Sequence, residues 1–276
     1  MSLSLSLPAG HLCHSHSYRS PEPFAGLAVV LVGAGPSGVD LALELAPLAA
    51  QVVLSHRGAP VVGLPETVRQ ASPISEVLGQ TVRFGDGSSL QADALVLCTG
   101  YRYSFPFLAL EPLGLRALDR AVVPLYRHLL PPRHPSLLFI GLCQQICPFP
   151  HFHWQVLYAL AVLGGDCRLP PAPDMEAEAE EELERYLGEG GAPRHFLRLA
   201  ARQWDYAAAL ARLAGFAPPQ PAIQEIYDAT RTSRLQHLLS YRSLNYRLLG
   251  PDAWELVVDG GHDAGLGRGE GVSLPP

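Results

Sequence analysis

The chain has 276 residues, 48% of them hydrophobic, which is enough to bury the core of one large domain or two ordinary ones. Its formal net charge is −6 and it has no basic stripe with interleaved aromatic residues, so we expect no nucleic-acid partner. No run of about 18 apolar residues occurs, so we expect no membrane span. The five cysteines lack the spacing of a disulfide framework, which favours a cytoplasmic protein.

Residues 1–23 are polar and rich in His and Ser, which predicts a loop leading into the first domain. An apolar strand, Val29–Val32, then runs into a glycine-rich turn and a helix over 39–48. The pattern G-x-G-x-x-G at this place is typical of a dinucleotide-phosphate site. Its glycines permit a tight turn, close approach of the backbone to a pyrophosphate, and close packing of the helix. The predicted phosphate ligands are Gly33, Gly35, Pro36, Ser37 and Gly38.

A second apolar strand, Gln51–Ser55, completes a βαβ unit, and the residues after it indicate which cofactor is bound. An NAD site would place Asp or Glu here to bind the ribose 2′-hydroxyl. This chain has Ser55, His56 and Arg57 instead, and Arg pairs with phosphate oxygens where a carboxylate would repel them. We therefore predict NADP(H). The alternative is that Arg57 is an ordinary solvated surface charge.

Downstream, residues 58–77 show little periodicity, and 81–90 read as a hairpin with an Asp-Gly turn. Ala94–Cys98 is a further buried strand, and it ends in Thr99 and Gly100, where open α/β sheets bind ligands. Leu137–Ile140 repeats this pattern and predicts another strand before a glycine.

The C-terminal part has helical spacing. The acidic run within it predicts a solvated helix face, and the glycine-rich tail from residue 259 predicts a frayed end. The predicted helices cover 154–163, 176–184, 193–214 and 219–240.

Two groups of cysteine and histidine resemble metal sites. They are His11, Cys13, His14 and His16, and Cys143, Cys147, His151 and His153. The first lacks a second ligand pair at finger-like distance, and in the second the gap from cysteine to histidine is too short for a zinc-finger loop. We expect both groups to be metal-free. With no strained nucleophile turn and no paired carboxylates, we assign no catalytic residue.

A pattern near the N-terminus identifies a family. Gly10, His14, Tyr18 and Arg19 fall on the spacing F-x-G-x-x-x-H-x-x-x-Y-[KR], with Pro8 in place of the Phe. Cys98 to Tyr101 is similar to a later Ala/Cys-Thr-Gly-Tyr motif of the same family. On these motifs the chain resembles the flavin-containing monooxygenases, in particular the senecionine N-oxygenase type.

The resemblance implies an α/β fold with a Rossmann-like NADP(H) domain over 24–103, and the C-terminal part of an FAD-binding domain with a helical extension over 104–276. The family has two glycine-rich turns, and the one seen here resembles the second. No FAD-binding turn occurs upstream of Gly33, so we expect a truncated form. By resemblance, Thr99, Gly100, Gln144 and Gln155 would contribute to the FAD site.

The resemblance also implies NADPH- and O2-dependent oxygenation of a small-molecule amine or thioether, and it leaves oligomer formation open. Two other interpretations stand beside it. One is a catalytically silent NADP(H)-binding protein or regulator, which the missing first glycine turn favours. The other is an independent NADP-dependent dehydrogenase, but the stretches that would carry its Tyr-x-x-x-Lys pair contain no lysine.

Overall fold

A computed structural model of the protein describes residues 11–257 and the backbone of 264–267. Pro8, Gly10 and most of the predicted frayed tail lie outside this part of the chain. The described residues form two compact units, 11–100 with 229–245, and 101–228 with 246–257 and 264–267. The helices are α1 (Pro36–Leu45), α2 (Pro148–Gly164), α3 (Ala172–Gly188), α4 (Gln203–Ala214) and α5 (Pro221–Gln236).

Thirteen strands occur among the described residues. They are β1 (His11–His14), β2 (Ala28–Val32), β3 (Gln51–Ser55), β4 (Val68–Ala71), β5 (Ile74–Leu78), β6 (Thr81–Phe84), β7 (Ser89–Gln91), β8 (Ala94–Leu97), β9 (Arg116–Leu118), β10 (Ala121–Val123), β11 (Asn245–Gly250), β12 (Ala253–Val257) and β13 (Ala264–Gly267).

A parallel sheet with strand order β1-β8-β2-β3-β4 organises the first unit. Val29 and Leu31 of β2 pack with Leu45 of α1 on one face. Val30 points the other way, into a core shared with Phe84 of the antiparallel sheet β5-β6-β7. Because both faces are covered, the central strands are apolar throughout rather than alternating. This confirms the predicted α/β fold class.

Two features of the first unit differ from the sequence prediction. Residues 11–14, predicted as part of a leading loop, form the edge strand β1, which pairs in parallel with β8. Strands β4 and β5 were missed within 58–77 because each is short and carries polar residues between its apolar ends. The predicted hairpin is confirmed as β6 and β7, with Gly87 at φ +84° in its turn.

Residues 229–245 belong to the first unit although they follow the second in the sequence. Arg242 pairs with Asp40 of α1 at 2.7 Å, and Leu238 lies 3.1 Å from the position that a Cβ on Gly63 would take. These contacts hold residues 229–245 against α1 and the loop that follows β3. Because the partners are far apart in the sequence, local sequence patterns do not reveal them.

In the second unit the helices predicted over 154–163 and 176–184 are confirmed, each within a longer helix, α2 and α3. The predicted helix over 219–240 is shorter, as α5, and its residues from 229 onward belong to the first unit. The segment 193–214 is helical only in part, with two 3₁₀ turns before α4. No helix within the described part of the chain is long and apolar enough to cross a bilayer.

The predicted strand Leu137–Ile140 is wrong, because these residues are irregular in the structure. The chain around them carries Pro131, Pro132 and Pro135, which cannot donate backbone hydrogen bonds and restrict the preceding residues. The Phe139 N–H still donates to the Leu129 carbonyl at 2.7 Å, which anchors the segment without a ladder.

The acidic face of α3 is more than a solvated surface. Four of its glutamates alternate along the run and each meets a basic partner in the same unit: Glu176 with Arg133, Glu178 with Arg127, Glu180 with Arg116, and Glu182 with His128. The run therefore ties α3 to the segment 116–133, a role that its charge alone did not predict.

Candidate functional site

The glycine-rich turn joins β2 to α1 at the carboxyl end of the parallel sheet. Gly33 lies at φ +108°, and a Cβ there would stand 2.7 Å from the carbonyl oxygen of Cys98. A Cβ on Gly38 would stand 1.8 Å from the carbonyl oxygen of Gly33. Both glycines are therefore required by the close approach of the protein's own backbone.

Gly35 has a different role. Its φ is −73°, which any residue can adopt, and among the described residues a Cβ there would meet no atom within 4 Å beyond its immediate chain neighbours. Pro36 begins α1, and the N–H groups of Ser37 and Gly38 lie in the first turn, where the helix supplies no acceptor. The open space above Gly35 and these donors fit the phosphates of a dinucleotide.

A cavity of about 560 Å³ opens beside this turn, between the ends of β2 and β3. None of its lining residues is acidic. They are Val32, Gly33, Ala34, Ser55, His56, Arg57, Gly58, Ala59, Val61, Pro73, Ile74 and Thr99. Because it combines an apolar wall with one guanidinium and the glycine-rich turn, it has the composition expected of a nucleotide site.

The three residues after β3 lie in different environments. Ser55 is buried and its hydroxyl donates to the Ser72 carbonyl at 2.8 Å. The His56 ring is half-buried and its Nε2 bonds the side chain of Gln70 at 3.0 Å. Arg57 is exposed, and no carboxylate among the described residues pairs with it. Of the three, Arg57 has the group most available to an anionic ligand.

A second cavity of about 430 Å³ shares His56, Arg57, Gly58 and Pro73 with the first. It is also lined by Asp86, whose pKa is lowered to about 2 by hydrogen bonds from the Ser88 side chain and backbone and from the Ser72 backbone. An ionised carboxylate would repel a phosphate, so the first cavity suits the 2′-phosphate better.

Thr99 and Gly100 follow β8 as the sequence predicts. Thr99 is exposed and lines the first cavity, and Gly100 lies at φ +86°. The His14 ring on β1 donates from Nε2 to the Gly100 carbonyl at 3.1 Å, while its Nδ1 accepts from the His16 N–H. His14, singled out by the family pattern, therefore holds the turn at the end of β8.

The other two predicted ligands lie in the second unit. The Gln144 backbone pairs with Leu197 and Leu199, and its Nε2 donates to the Tyr103 hydroxyl at 3.1 Å. Gln155 is fully buried, with Oε1 accepting from the Gly141 N–H at 2.9 Å and Nε2 donating to the Tyr206 hydroxyl at 3.0 Å. In this structure Gln155 positions the Gly141 turn and has no free polar group of its own.

The cysteine and histidine groups do not converge on a point. Among the described residues no group of three or more potential ligands is placed to hold a metal ion. The metal-free state of both groups stays a prediction. His151 is fully buried and stacks on Tyr206 with ring centroids 5.2 Å apart. Cys143 is buried, and desolvation raises the pKa of its thiol to about 12, which makes it unreactive at neutral pH.

Comparison with known proteins gives the family. The model described as FMO-like, flavin-binding monooxygenase-like, matches residues 5–68 and 60–264. The chain belongs to the flavin-containing monooxygenase family. Flavin-containing monooxygenase FMO GS-OX-like 2 of Arabidopsis thaliana is 34% identical over 201 residues, 69% of this chain and 42% of that protein. The GS-OX-like 4 protein of the same plant is 30% identical over 240 residues, 84% of this chain and 53% of that protein.

Solved structures agree with this assignment. S-allyl-L-cysteine S-oxygenase from Allium sativum is 32% identical with a TM-score of 0.77, covering 84% of this chain and 54% of that one. Tmm from Pelagibacter is 25% identical with a TM-score of 0.72, covering 85% and 53%. The chain thus spans about half the length of the relatives it matches. Members of the family use FAD and NADPH.

Sequence reasoning missed one residue of the candidate site. Gln70 on β4 bonds both His56 and the backbone of Val61, beside Arg57. Its only signal was its place in a short strand with a polar centre, which the hydrophobic pattern did not resolve.

Substitution of Gly38, which packs against backbone, and of Gly35, which faces open space, should affect different properties of the protein. Gly38→Ala should destabilise the fold by about 1–3 kcal/mol or more, because its Cβ meets a backbone carbonyl that has little room to shift. Gly35→Ala should leave the melting temperature unchanged and weaken NADP⁺ binding by more than about tenfold, because its Cβ enters only the space of the ligand. Thermal unfolding and calorimetric titration measure both; wild-type binding by Gly35→Ala would contradict the phosphate assignment.

Removing the guanidinium of Arg57 should weaken NADP⁺ selectively. Arg57→Ala loses a charge-assisted phosphate contact, so NADP⁺ affinity should fall by about 10- to 100-fold, equivalent to about 1.5–3 kcal/mol, with NAD⁺ affinity little changed. Arg83→Ala is the matched control, since Arg83 is exposed in the same unit and pairs with Glu76 at 2.9 Å. Equal wild-type affinities, or an equal loss for both cofactors, would contradict the 2′-phosphate assignment.

His151 predicts acid sensitivity of the fold. Burial, with a smaller effect from His128, lowers the pKa of His151 from 6.5 to about 4, and neither ring nitrogen has a hydrogen-bond partner in the described part of the chain. Below about pH 6.5 the His151 ring is protonated in the unfolded chain, whereas in the folded chain it stays neutral down to about pH 4. Lowering the pH through this window therefore favours unfolding.

The cost should reach about 3 kcal/mol at pH 4. Denaturant unfolding between pH 7 and 4 measures it. His151→Phe should flatten the pH dependence in this window, whereas His153→Phe, on the exposed side of the same helix, should not. An unchanged pH dependence in His151→Phe would show that other groups cause the acid sensitivity.

Proposed function

We propose that this chain is the NADP(H)-binding part, together with a C-terminal part of the flavin-binding domain, of a flavin-containing monooxygenase acting on a small amine or thioether. The observation that carries the proposal is the open space above Gly35, in the same turn as Gly33 and Ala34, which line a cavity together with Arg57; Arg57 has no acidic partner among the described residues. We assign residues 24–103 to the NADP(H) domain and 104–276 to the C-terminal part of the FAD domain and its helical extension.

The geometry of the first cavity supports NADP(H) over NAD(H). The turn around Gly35 would bind the pyrophosphate through the first N–H groups of α1. The end of β3 then presents Arg57 where the ribose 2′-phosphate of a dinucleotide would lie. His56 lines the same cavity, and Ser55 supports the strand end through its bond to Ser72.

The residues fit FAD less completely. From the family resemblance, we propose that Thr99, Gly100, Gln144 and Gln155 each contribute to FAD binding, and Gln155 also holds the Gly141 turn in place. The 276 residues contain one G-x-G-x-x-G turn, and NADP(H) would occupy it. A bound flavin would supply the reaction with O2 and the oxygen transfer. The residues of this chain would bind NADP(H) through the turn around Gly35 and the first N–H groups of α1.

The substrate class rests on the relatives. One of them acts, by its name, as an S-oxygenase of S-allyl-L-cysteine, whose sulfur is a thioether. This supports a soft sulfur or nitrogen nucleophile as substrate, and the family match favours an enzyme over the silent NADP(H)-binding alternative. A cytoplasmic location, the lack of a nucleic-acid partner and any oligomer stay predictions.

FAD retention tests whether a chain with a single glycine-rich turn can bind FAD stably. The 276-residue chain, purified and passed through gel filtration after incubation with FAD, should lose its visible flavin absorption, because no second glycine turn holds the pyrophosphate. It should also bind NADP⁺ and show little NADPH-driven sulfoxidation of S-allyl-L-cysteine. The full-length Allium S-oxygenase is the positive control.

Two outcomes of this experiment are informative in different ways. Stoichiometric FAD with NADPH consumption coupled to sulfoxide formation would refute the claim that a single glycine-rich turn is insufficient. A folded chain that binds neither NADP⁺ nor NADPH would refute the proposed function itself.

A further inference from the structure

Gln70 is joined to the loop that follows β3 by a double contact. Its Oε1 accepts from the Val61 N–H at 2.7 Å, and its Nε2 donates to the Val61 carbonyl at 2.9 Å. The side-chain amide thus pairs with one residue's backbone through both of its ends. This pairing fixes which end of the amide is oxygen, since the reverse orientation would face donor to donor and acceptor to acceptor.

The same oxygen reaches His56. Nε2 of His56 lies 3.0 Å from Gln70 Oε1, and because that oxygen can only accept, the imidazole proton is on Nε2. Gln70 therefore contacts both residues that flank the segment 57–60, His56 on one side and Val61 on the other. It closes this segment into a short loop.

In the described part of the chain, the residues of segment 57–60 make no hydrogen bond or ion pair of their own. Its four residues, Arg57, Gly58, Ala59 and Pro60, are all exposed. The glycine and alanine in it offer almost no side-chain surface for packing. A long, exposed side chain on a loosely held loop loses conformational entropy when it binds a ligand, and a loop that is already fixed loses less.

We propose that Gln70 is a positioning residue that determines selectivity for NADP(H) over NAD(H), acting through Arg57. This inference rests on the proposed NADP(H) site. Gln70 is half-buried on β4 and is not assigned to contact the dinucleotide; it fixes the loop so that the Arg57 guanidinium stays at the 2′-phosphate position. NAD(H), which lacks that phosphate, gains nothing from the fixed loop.

The test compares NADP⁺ and NAD⁺ affinity by calorimetric titration. Gln70→Met keeps the length of the side chain and loses all three hydrogen bonds, so NADP⁺ affinity should fall about tenfold while NAD⁺ affinity changes by less than about twofold. Gln70→Asn is a second, neutral variant that is too short to make these bonds and should weaken NADP⁺ in the same direction. Gln91→Met is the control, because Gln91 bonds Thr81 on the hairpin and lines neither cavity.

A double-mutant cycle separates positioning from general stability. If Gln70 acts through Arg57, Gln70→Met should change NADP⁺ affinity little in the Arg57→Ala background. Three results would overturn the inference while leaving the NADP(H) site intact. Gln70→Met could weaken NADP⁺ and NAD⁺ binding equally, or it could weaken NADP⁺ binding as much in the Arg57→Ala background as in the wild type. The third result is unchanged selectivity between the two cofactors in folded Gln70→Met and Gln70→Asn. Equal affinity of the wild-type chain for NADP⁺ and NAD⁺ would instead overturn the site, and the inference with it.

Discussion

The backbone contact between the β2–α1 turn and the end of β8 sets the geometry of the candidate site. Gly33 and Gly38 bring the turn so close to the Cys98 and Gly33 carbonyls that no side chain fits at either position. As a result, Gly35 and the first residues of α1 face open space. Gly33, Ala34, Arg57 and Thr99 line the cavity beside this turn, so the geometry of the site depends on the close packing of these backbone segments.

The second unit depends on a different interaction, a buried polar network. Gln155 links the Gly141 turn to the Tyr206 hydroxyl, which in turn donates to the Arg127 carbonyl at 2.8 Å. Arg127 also pairs with Glu178 on α3. Buried amides and hydroxyls with satisfied partners specify one arrangement of the segments that they join. The network explains why a glutamine, Gln155, occurs on the buried side of the otherwise mostly apolar helix α2.

The sequence predicted the part of the fold that local patterns encode. The glycine turn, β2, β3, β8 and the βαβ unit follow from apolar runs and from residues with one conformational role. β4 was missed because Arg69 and Gln70 interrupt its apolar ends, and the strand predicted at Leu137–Ile140 is absent because the surrounding prolines remove the donors a strand needs. The roles of Gln70 and Gln155 depend on partners far along the chain, which spacing alone cannot identify.

The central claim is that the cavity at the end of β3 recognises a 2′-phosphate, and a fragment of the cofactor tests it without the complication of flavin or turnover. Calorimetric titration of the wild-type chain with 2′,5′-ADP and with 5′-AMP compares ligands that differ only in that phosphate. We expect measurable binding of 2′,5′-ADP and at least about tenfold weaker binding of 5′-AMP, since a charge-assisted phosphate contact is worth about 1.5–3 kcal/mol. Equal affinity for the two ligands would contradict it.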